Sequence, residues 1–440
     1  MNVGSADNKD KHELEKYNVN VRTAFLTIML SIFVDVLGYS MVLPLLAPIA
    51  QIYGAEDIVI GILISSNAFT ALIFGPILGR LSDKYGRKPI LVISQAGTFA
   101  SFLILGLSNS IPMIFLSRIL DGIFGGQIPV IRAYITDITT PETRSSEIGK
   151  ITVSFSLGMV LGPSLGGFLG ALNWRYPAFL ACGFSIISII LTMKVLVESM
   201  PAQRREDLKK EMEIKYESLG KRSVWNKSLV IRLFQLFIAF SITLLFNTSL
   251  PIVMAERYGV STLEIGLVMT LGAIMVMIYG GFLMKRLIKK FGEKTIFLFT
   301  LSLSVILPIF YAFLFDLWMV FIFVVPFAFI MAFNPPLIQS NLTKAVESDK
   351  QGLASGFATN FQSIAQTLMP LIAYGYLQIN FLSVGFFTLN EYELIGYTAV
   401  LLAIILLILG IIDLKWHSDL YAHENRNKKK KIDTIEESLL

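Results

Sequence analysis

The feature that most constrains this chain is a repeated one. Apolar runs of about twenty residues follow one another from residue 23 to residue 414, separated by polar breaks. A helix rises 1.5 Å per residue, so about 20 such residues cross the roughly 30 Å hydrocarbon core of a bilayer. Runs of that length fall near 23–48, 58–80, 88–109, 112–136, 146–171, 175–197, 229–254, 263–284, 294–315, 317–340, 353–378 and 394–414. Backbone in lipid must satisfy its own hydrogen bonds, and for runs of this length the helix does so. The expected fold class is therefore an all-α membrane protein of twelve transmembrane helices, in keeping with 54% hydrophobic and only 16% charged residues.

One long polar gap divides the runs six and six. The expected organisation is an N-tail at 1–22, a first bundle at 23–197, a solvated linker at 198–228, a second bundle at 229–415 and a basic tail at 416–440. The N-tail mixes Lys and acidic residues in the manner of a disordered segment. The first apolar run is too long for a cleaved signal peptide and reads as a retained helix. If the N-terminus is inside, 33 of the 37 Lys and Arg fall in inside segments. That bias predicts a multi-pass cell-membrane protein with both termini cytoplasmic. The halves also echo each other, since Pro44 and Pro251, Gly149 and Gly356, and Pro163 and Pro370 are each 207 residues apart. Duplicated six-helix bundles facing a central cavity are a transporter architecture.

Much chemistry is excluded. Cys182 is the single cysteine, and His12, His417 and His423 all lie toward the tails, so no disulfide, metal centre or histidine relay is expected. No phosphate-binding loop or nucleophile motif is present. The chain reads as no enzyme, with no cofactor, no metal and no nucleic-acid partner. Proton chemistry within the membrane is left to carboxylates and arginines.

Residues 79–90, GRLSDKYGRKPI, form a polar knot between the second and third runs, with five charged residues among twelve. Gly79 and Gly86 permit close helix approach and a tight turn. Asp83 is placed to cap the backbone N–H groups of the third helix and to pair with Arg87. A loop that only anchored helices by positive-inside charge would share the basic residues, Arg87 and Lys88 among them, but not the mixed signs or the paired glycines.

Within the fourth run Arg118 and Asp121 are three residues apart, so they share a helix face and can pair. A charge at the helix centre costs roughly 2.5–3.5 kcal/mol, so both are expected to face the bundle interior. Arg132 falls near the inner mouth. Asp35 lies about twelve residues into the first helix, roughly 18 Å deep at 1.5 Å per residue. Burial there favours the neutral carboxyl and a nearby arginine the ionised one, so an acid alternating between those conditions is a proton carrier. The other reading of Asp35 is a structural acid permanently paired to a neighbouring helix. Asp121 is the second candidate for the proton, with Arg118 as its partner. In the fifth run Gly158, Gly162 and Gly166 repeat every four residues, the spacing that lets membrane helices touch, and Pro163 allows a kink beside Gly166 and Gly167.

The second half differs. Its helices read as having no deep acid or base, with Arg232 at a helix end, and its copy of the knot at 281–294 has lost the aspartate. It carries amides and aromatics instead, and Asn247, Asn334, Gln339, Asn360, Gln366 and Phe361 are candidates to line an apolar substrate cavity. Lys428, Lys429, Lys430 and Lys431 are expected to meet anionic lipid headgroups or to reinforce topology.

The knot resembles the loop signature of the major facilitator superfamily at every position: Gly79, Leu81, Ser82, Asp83, Lys84, Gly86, Arg87 and Lys88. Arg118 to Gly122 resembles that family's helix-four arginine motif. Gly158 to Gly167, GMVLGPSLGG, is similar to its antiporter motif, and Asp35-Val-Leu-Gly38 followed by Pro44 resembles the first helix of drug/proton antiporters, including tetracycline efflux pumps. The resemblance implies two pseudo-symmetric six-helix bundles, a monomer, and a latch in which Asp83 and Arg87 meet the acid ending helix four. Asp137 is the matching acid here, and Arg132 is near enough in sequence to join it. It further implies proton-coupled efflux of lipophilic drug-like molecules. A carrier for a defined metabolite, such as a sugar, carboxylate or peptide, is the alternative; a membrane sensor or membrane-embedded enzyme is disfavoured.

Overall fold

The computed structural model describes residues 21–139, 141–201, 203, 206, 226–314, 316–346, 351–379, 381–384 and 387–417. Residues 1–20, most of the linker and residues 418–440, with Lys428, Lys429, Lys430 and Lys431, lie outside the described residues. Among the described residues the chain is a succession of twelve helical segments. They are α1 (Thr23–Ile52), α2 (Asp57–Tyr85), α3 (Arg87–Leu107), α4 (Ile111–Ile138), α5 (Pro141–Leu172), α6 (Arg175–Lys194), α7 (Lys227–Tyr258), α8 (Thr262–Phe291), α9 (Glu293–Phe313), α10 (Leu317–Lys344), α11 (Gln351–Ile379) and α12 (Glu391–Trp416). All but α5 and α11 are long and apolar enough to cross a membrane by length and composition, and those two have 32 and 29 residues.

Several helices extend beyond the apolar runs that announce them. The run at 229–254 belongs to a 32-residue helix, about 48 Å long at 1.5 Å per residue. Hydropathy marks only the part that sits in hydrocarbon, whereas backbone hydrogen bonding continues into the polar flanks.

Local sequence also explains the irregularities. Pro44 falls in a 3-10 turn, Leu43–Leu45, within α1. The Gly125-Gly126-Gln127 stretch breaks α4 into Ile111–Gly125 and Ile128–Ile138, with Pro129 in the first turn of the second piece. A π turn at Tyr279–Leu283 interrupts α8, and α9 tightens into a 3-10 turn at Leu307–Phe313, where Pro308 removes a donor. A capping box starts α12, Asn390 accepting from the Glu393 N–H at 2.8 Å and donating its own to Glu393 at 2.9 Å. Before it lies an antiparallel hairpin of β1 (Phe381–Val384) and β2 (Phe387–Asn390), with Phe381 opposite Asn390 and Val384 opposite Phe387. Hydropathy windows give no sign of so short a hairpin; its cues are local, β-branched and aromatic residues around a glycine.

The chain separates into two compact units, Met1–Arg222 with Pro251–Thr270, and Ser223–Leu250 with Leu271–Leu440. In the first, α1 packs on α5 and α6, α3 on α4 and α6, and α2 on α4. Its apolar cluster joins Ile28, Leu78, Leu91, Ile131, Tyr134 and Leu196. In the second, α9 packs on α10 and α12, and α11 on α10 and α12. There the Phe246 ring meets Tyr311 at 4.7 Å and Phe327 at 5.1 Å, so this aromatic fills core. Large apolar side chains such as Phe168, Leu401 and Ile408 are exposed, as expected of surfaces solvated by lipid rather than water.

Candidate functional site

Three constellations stand out in the first unit, two of them polar and one a close helix contact, and two ion-pair sites in the second. The first gathers α1, α2 and α4. Arg118 and Asp121 are buried and paired across one helical turn at 3.4 Å. Asn67 of α2 donates to the same Asp121 oxygen at 2.9 Å, and the guanidinium donates to Ser117 at 3.0 Å and lies 5.7 Å from the Phe102 ring centre. Asp35 is not a direct partner of Arg118. It accepts a hydrogen bond from the side-chain amide of Gln127, at the break in α4. Its other oxygen, Oδ1, is buried without a donor, as is Gln127 Oε1. Asp121 bears electrostatically on both Asp35 and Tyr39.

Gln127 is a residue that sequence reasoning missed. It lies outside every quoted motif, and its signal is only its place after two glycines and before Pro129. Gly126 lets α4 approach α2 closely, because a Cβ there would come within 3.1 Å of the Gly75 Cα. That contact aims Gln127, only 4% exposed, at α1.

The second constellation is the knot. Arg87 is buried at the start of α3 and pairs with Asp83 at 2.6 Å and with Asp137, near the end of α4, at 3.0 Å; Ser82 accepts from it at 2.6 Å. Ser199 donates to Asp137 at 3.0 Å. The expectation that Asp83 caps α3 is corrected. Asp83 belongs to the last turn of α2 with its side chain 62% exposed. The cap is Glu198, whose carboxylate accepts from the N–H groups of Arg87 at 2.8 Å and Lys88 at 3.0 Å. Residue 86 must be glycine, with φ of +105° and the Glu198 carboxylate where a Cβ would lie. The expected solvated linker is corrected at its start for the same reason, since Glu198 caps a helix, Ser199 and Met200 are buried, and Tyr134 donates to the Val197 carbonyl at 2.6 Å. Gly79 faces Pro129 of α4, and Lys88 is half-buried. Arg132 is exposed, on a different face of α4 from Asp137.

The third constellation is the α1–α5 contact. A Cβ on Gly158 would lie 3.0 Å from the Leu37 N and the Phe33 O, and one on Gly166 2.9 Å from the Met41 Cα. Ser40 of α1, against Gly162, donates to the Gly158 carbonyl at 2.9 Å. Gly167, after Pro163, meets Gly266 of α8 just as closely. Helix backbones here are in direct contact, as the four-residue spacing predicts.

In the second unit the charges stand at helix ends, as expected of Arg232, but packing buries them completely. Arg232 of α7 and Asp413 of α12 form an ion pair at 3.0 Å with both side chains 0% exposed, and His417 adds a 2.9 Å contact to Asp413. Asp413 sits at the edge of an apolar run, where sequence places it at a helix end; α12 continues to Trp416 and packing closes over it. The second knot also keeps more than its lost aspartate indicates. Gly292 has φ of +83°, like Gly86, and the next residue, Glu293, is buried and pairs at 3.2 Å with Lys344 at the end of α10. Glu293 and Lys344 correspond to Arg87 and Asp137 at offsets of 206 and 207, with both charges reversed.

Of the proposed cavity residues, Asn334 is 2% exposed and donates to Ser304 of α9 at 2.8 Å, so packing between helices occupies it. Phe361 stands edge-on to Phe234 and Phe237 of α7 at 5.8 and 6.4 Å. Asn247, Gln339, Asn360 and Gln366 are half-buried. Among the described residues no group of His, Cys, Asp and Glu could hold a metal ion.

The family model described as Major Facilitator Superfamily matches residues 28–370. Multidrug resistance protein 1 of Bacillus subtilis (strain 168) is 30% identical over 370 residues, covering 82% of this chain and 90% of that protein. Tetracycline resistance protein, class H, of Pasteurella multocida is 28% identical, covering 79% and 88%. Among solved structures, a bacterial homologue of the human lysosomal transporter Spinster, inward-facing and occupied, aligns with a TM-score of 0.70 at 15% identity over 90% of this chain and 97% of its own. At that identity the likeness concerns the fold.

Proposed function

This chain belongs to the Major Facilitator Superfamily and is a multi-pass membrane transporter of small molecules rather than an enzyme, and we propose that it expels lipophilic drug-like compounds in exchange for protons. The relatives named for multidrug and tetracycline resistance support the cargo class. The observation that carries the mechanism is Asp35, a carboxyl in the interior of the first unit with one oxygen tethered by an amide and the other buried and free to take a proton. Asp121 is already engaged by Arg118 and Asn67, so it tunes the field at Asp35 rather than carrying the proton itself.

In this reading a proton enters from outside, neutralises Asp35, and the bundles at 23–197 and 229–415 rock about the cargo. The α1–α5 glycine contact at Gly158, Gly162 and Gly166 keeps the first bundle tightly packed as it moves. The knot and the 198–228 linker face the cytoplasm, as do both termini, and the monomer's basic tail meets anionic headgroups. Arg87, held by Asp83 and Asp137, latches one end state. The half-buried amides Asn247, Gln339, Asn360 and Gln366, with Phe361, line the cargo's path.

The test uses purified protein in proteoliposomes with ethidium and tetracycline as probes. Asp35→Asn abolishes substrate-driven proton release while substrate exchange without a gradient continues. Coupled transport that survives the substitution with an unchanged pH profile refutes the assignment.

A further inference from the structure

We infer that Gln127 is a positioning residue for Asp35, closing a two-point hydrogen-bonded ring with the protonated carboxyl and so holding the proton-loaded state. This rests on Asp35 being the proton carrier proposed above.

The unprotonated geometry is half of such a ring. Gln127 donates its amide N–H to Asp35 Oδ2, while Asp35 Oδ1 and Gln127 Oε1 are both buried acceptors with no donor. Two acceptors cannot satisfy each other, and both atoms are buried. A single proton resolves the conflict. Taken from solvent, it forms an O–H bond at Oδ1 and removes the carboxylate's negative charge. That O–H then donates to Oε1, while the N–H to Oδ2 contact persists. A primary amide is the neutral side chain that offers a donor and an acceptor side by side, matching a carboxylic acid edge to edge. Leucine or methionine at this position has neither group, and lysine has only donors.

The surroundings leave this task to Gln127. Among the described residues the one charged group bearing directly on Asp35 is Asp121 of α4; Asp121 and Arg118 in turn bear on Tyr39, one turn along the same helix. Arg118 directs its two terminal nitrogens to Asp121 and Ser117 and makes no contact with Asp35, its Nε being left without an acceptor. On α5 the faces against α1 are Gly158, Gly162 and Gly166, and on α6 the contact is Ser188, which meets Ser31 at 2.7 Å. Gln127 is itself fixed by the α4 break and the close approach of Gly126 to Gly75, so its amide does not have to be recruited when the proton arrives.

The experiment is a pH titration of the protonated-carboxyl C=O band by difference infrared spectroscopy on the purified full-length protein. A band that disappears in Asp35→Asn belongs to Asp35. In Gln127→Leu that band moves to higher wavenumber, because its hydrogen bonds are gone. In Gln127→Glu two carboxyls share the site, one proton is held between them, and the titration midpoint moves up in pH, to a proton concentration at least about tenfold lower. If Asp35→Asn removes no band, Asp35 carries no proton and both readings fall. If it does remove one and Gln127→Leu leaves its frequency unchanged, the ring is refuted and Asp35 keeps its role. Should Gln127→Leu fail to fold, the near-isosteric Gln127→Glu decides alone, and an unchanged midpoint overturns the inference.

Discussion

Neutralising one end of the Arg87 network separates its two aspartates sharply, and in the opposite order to their distances. The shorter contact is to Asp83, 2.6 Å against 3.0 Å for Asp137. Yet the Asp83 side chain is 62% exposed and that of Asp137 only 14%. At an effective dielectric near 20, two charges 3.0 Å apart attract by about 5.5 kcal/mol, whereas at 2.6 Å in water the figure is about 1.6 kcal/mol before salt screening and side-chain entropy reduce it further. Removing Asp137 also leaves the buried guanidinium of Arg87, 6% exposed, without its shielded counter-charge. Asp137→Ala is therefore expected to cost about 3–5 kcal/mol and Asp83→Ala at most about 1 kcal/mol. The assay is unfolding of purified protein in mixed micelles with increasing dodecyl sulfate, followed by tryptophan fluorescence. A cycle with Arg87→Met completes it, since the double variant buries no unpaired charge and recovers part of the loss. Equal costs at Asp83 and Asp137, or a coupling between Arg87 and Asp137 below about 0.5 kcal/mol, would refute a burial-dominated latch.

Two further expectations come from the packing. Gly166→Ala forces a Cβ to within 2.9 Å of the Met41 backbone, so α1 and α5 must part, at about 1–3 kcal/mol for an overpacked contact; the melting temperature should fall and transport with it. Gly183→Ala, with nothing within 4 Å of the new Cβ, is the silent control, and equal effects would contradict the account. In the second unit, Glu293→Lys puts a second cation where the Glu293 carboxylate now lies 3.2 Å from Lys344, and adding Lys344→Glu restores the pair with the polarity of Arg87 and Asp137. A double variant that melts no higher than the single one would show that the reversed pair does not act as a unit.

Much of this protein is legible along one dimension. Helix number and placement follow from runs of apolar residues, because hydrocarbon solvates nothing polar and each spanning segment must close its own hydrogen bonds. The α1–α5 contact follows from a four-residue glycine repeat, and the Arg118–Asp121 pair from a three-residue spacing, both set by the 3.6-residue helical period. The Arg87–Asp83 pair lies four residues apart and is equally local.

Other features depend on which segments meet in space. Glu198 caps α3 from 111 residues away, in place of the adjacent Asp83, because the chain leaving α6 turns back beneath α3 and α4. Asp413 stands at the edge of an apolar run, and it is the fold that brings Arg232 of α7 against it and seals both. Gln127 reads as an ordinary amide until the break in α4 turns it onto Asp35 across 92 residues. Sequence by itself determined the spans, their periodic contacts and the acids placed deep within them, since all of these follow from lipid solvation and helical geometry. Only the tertiary structure decided which charges are buried and what each is paired with, because burial and pairing belong to the packing of helices far apart in the chain.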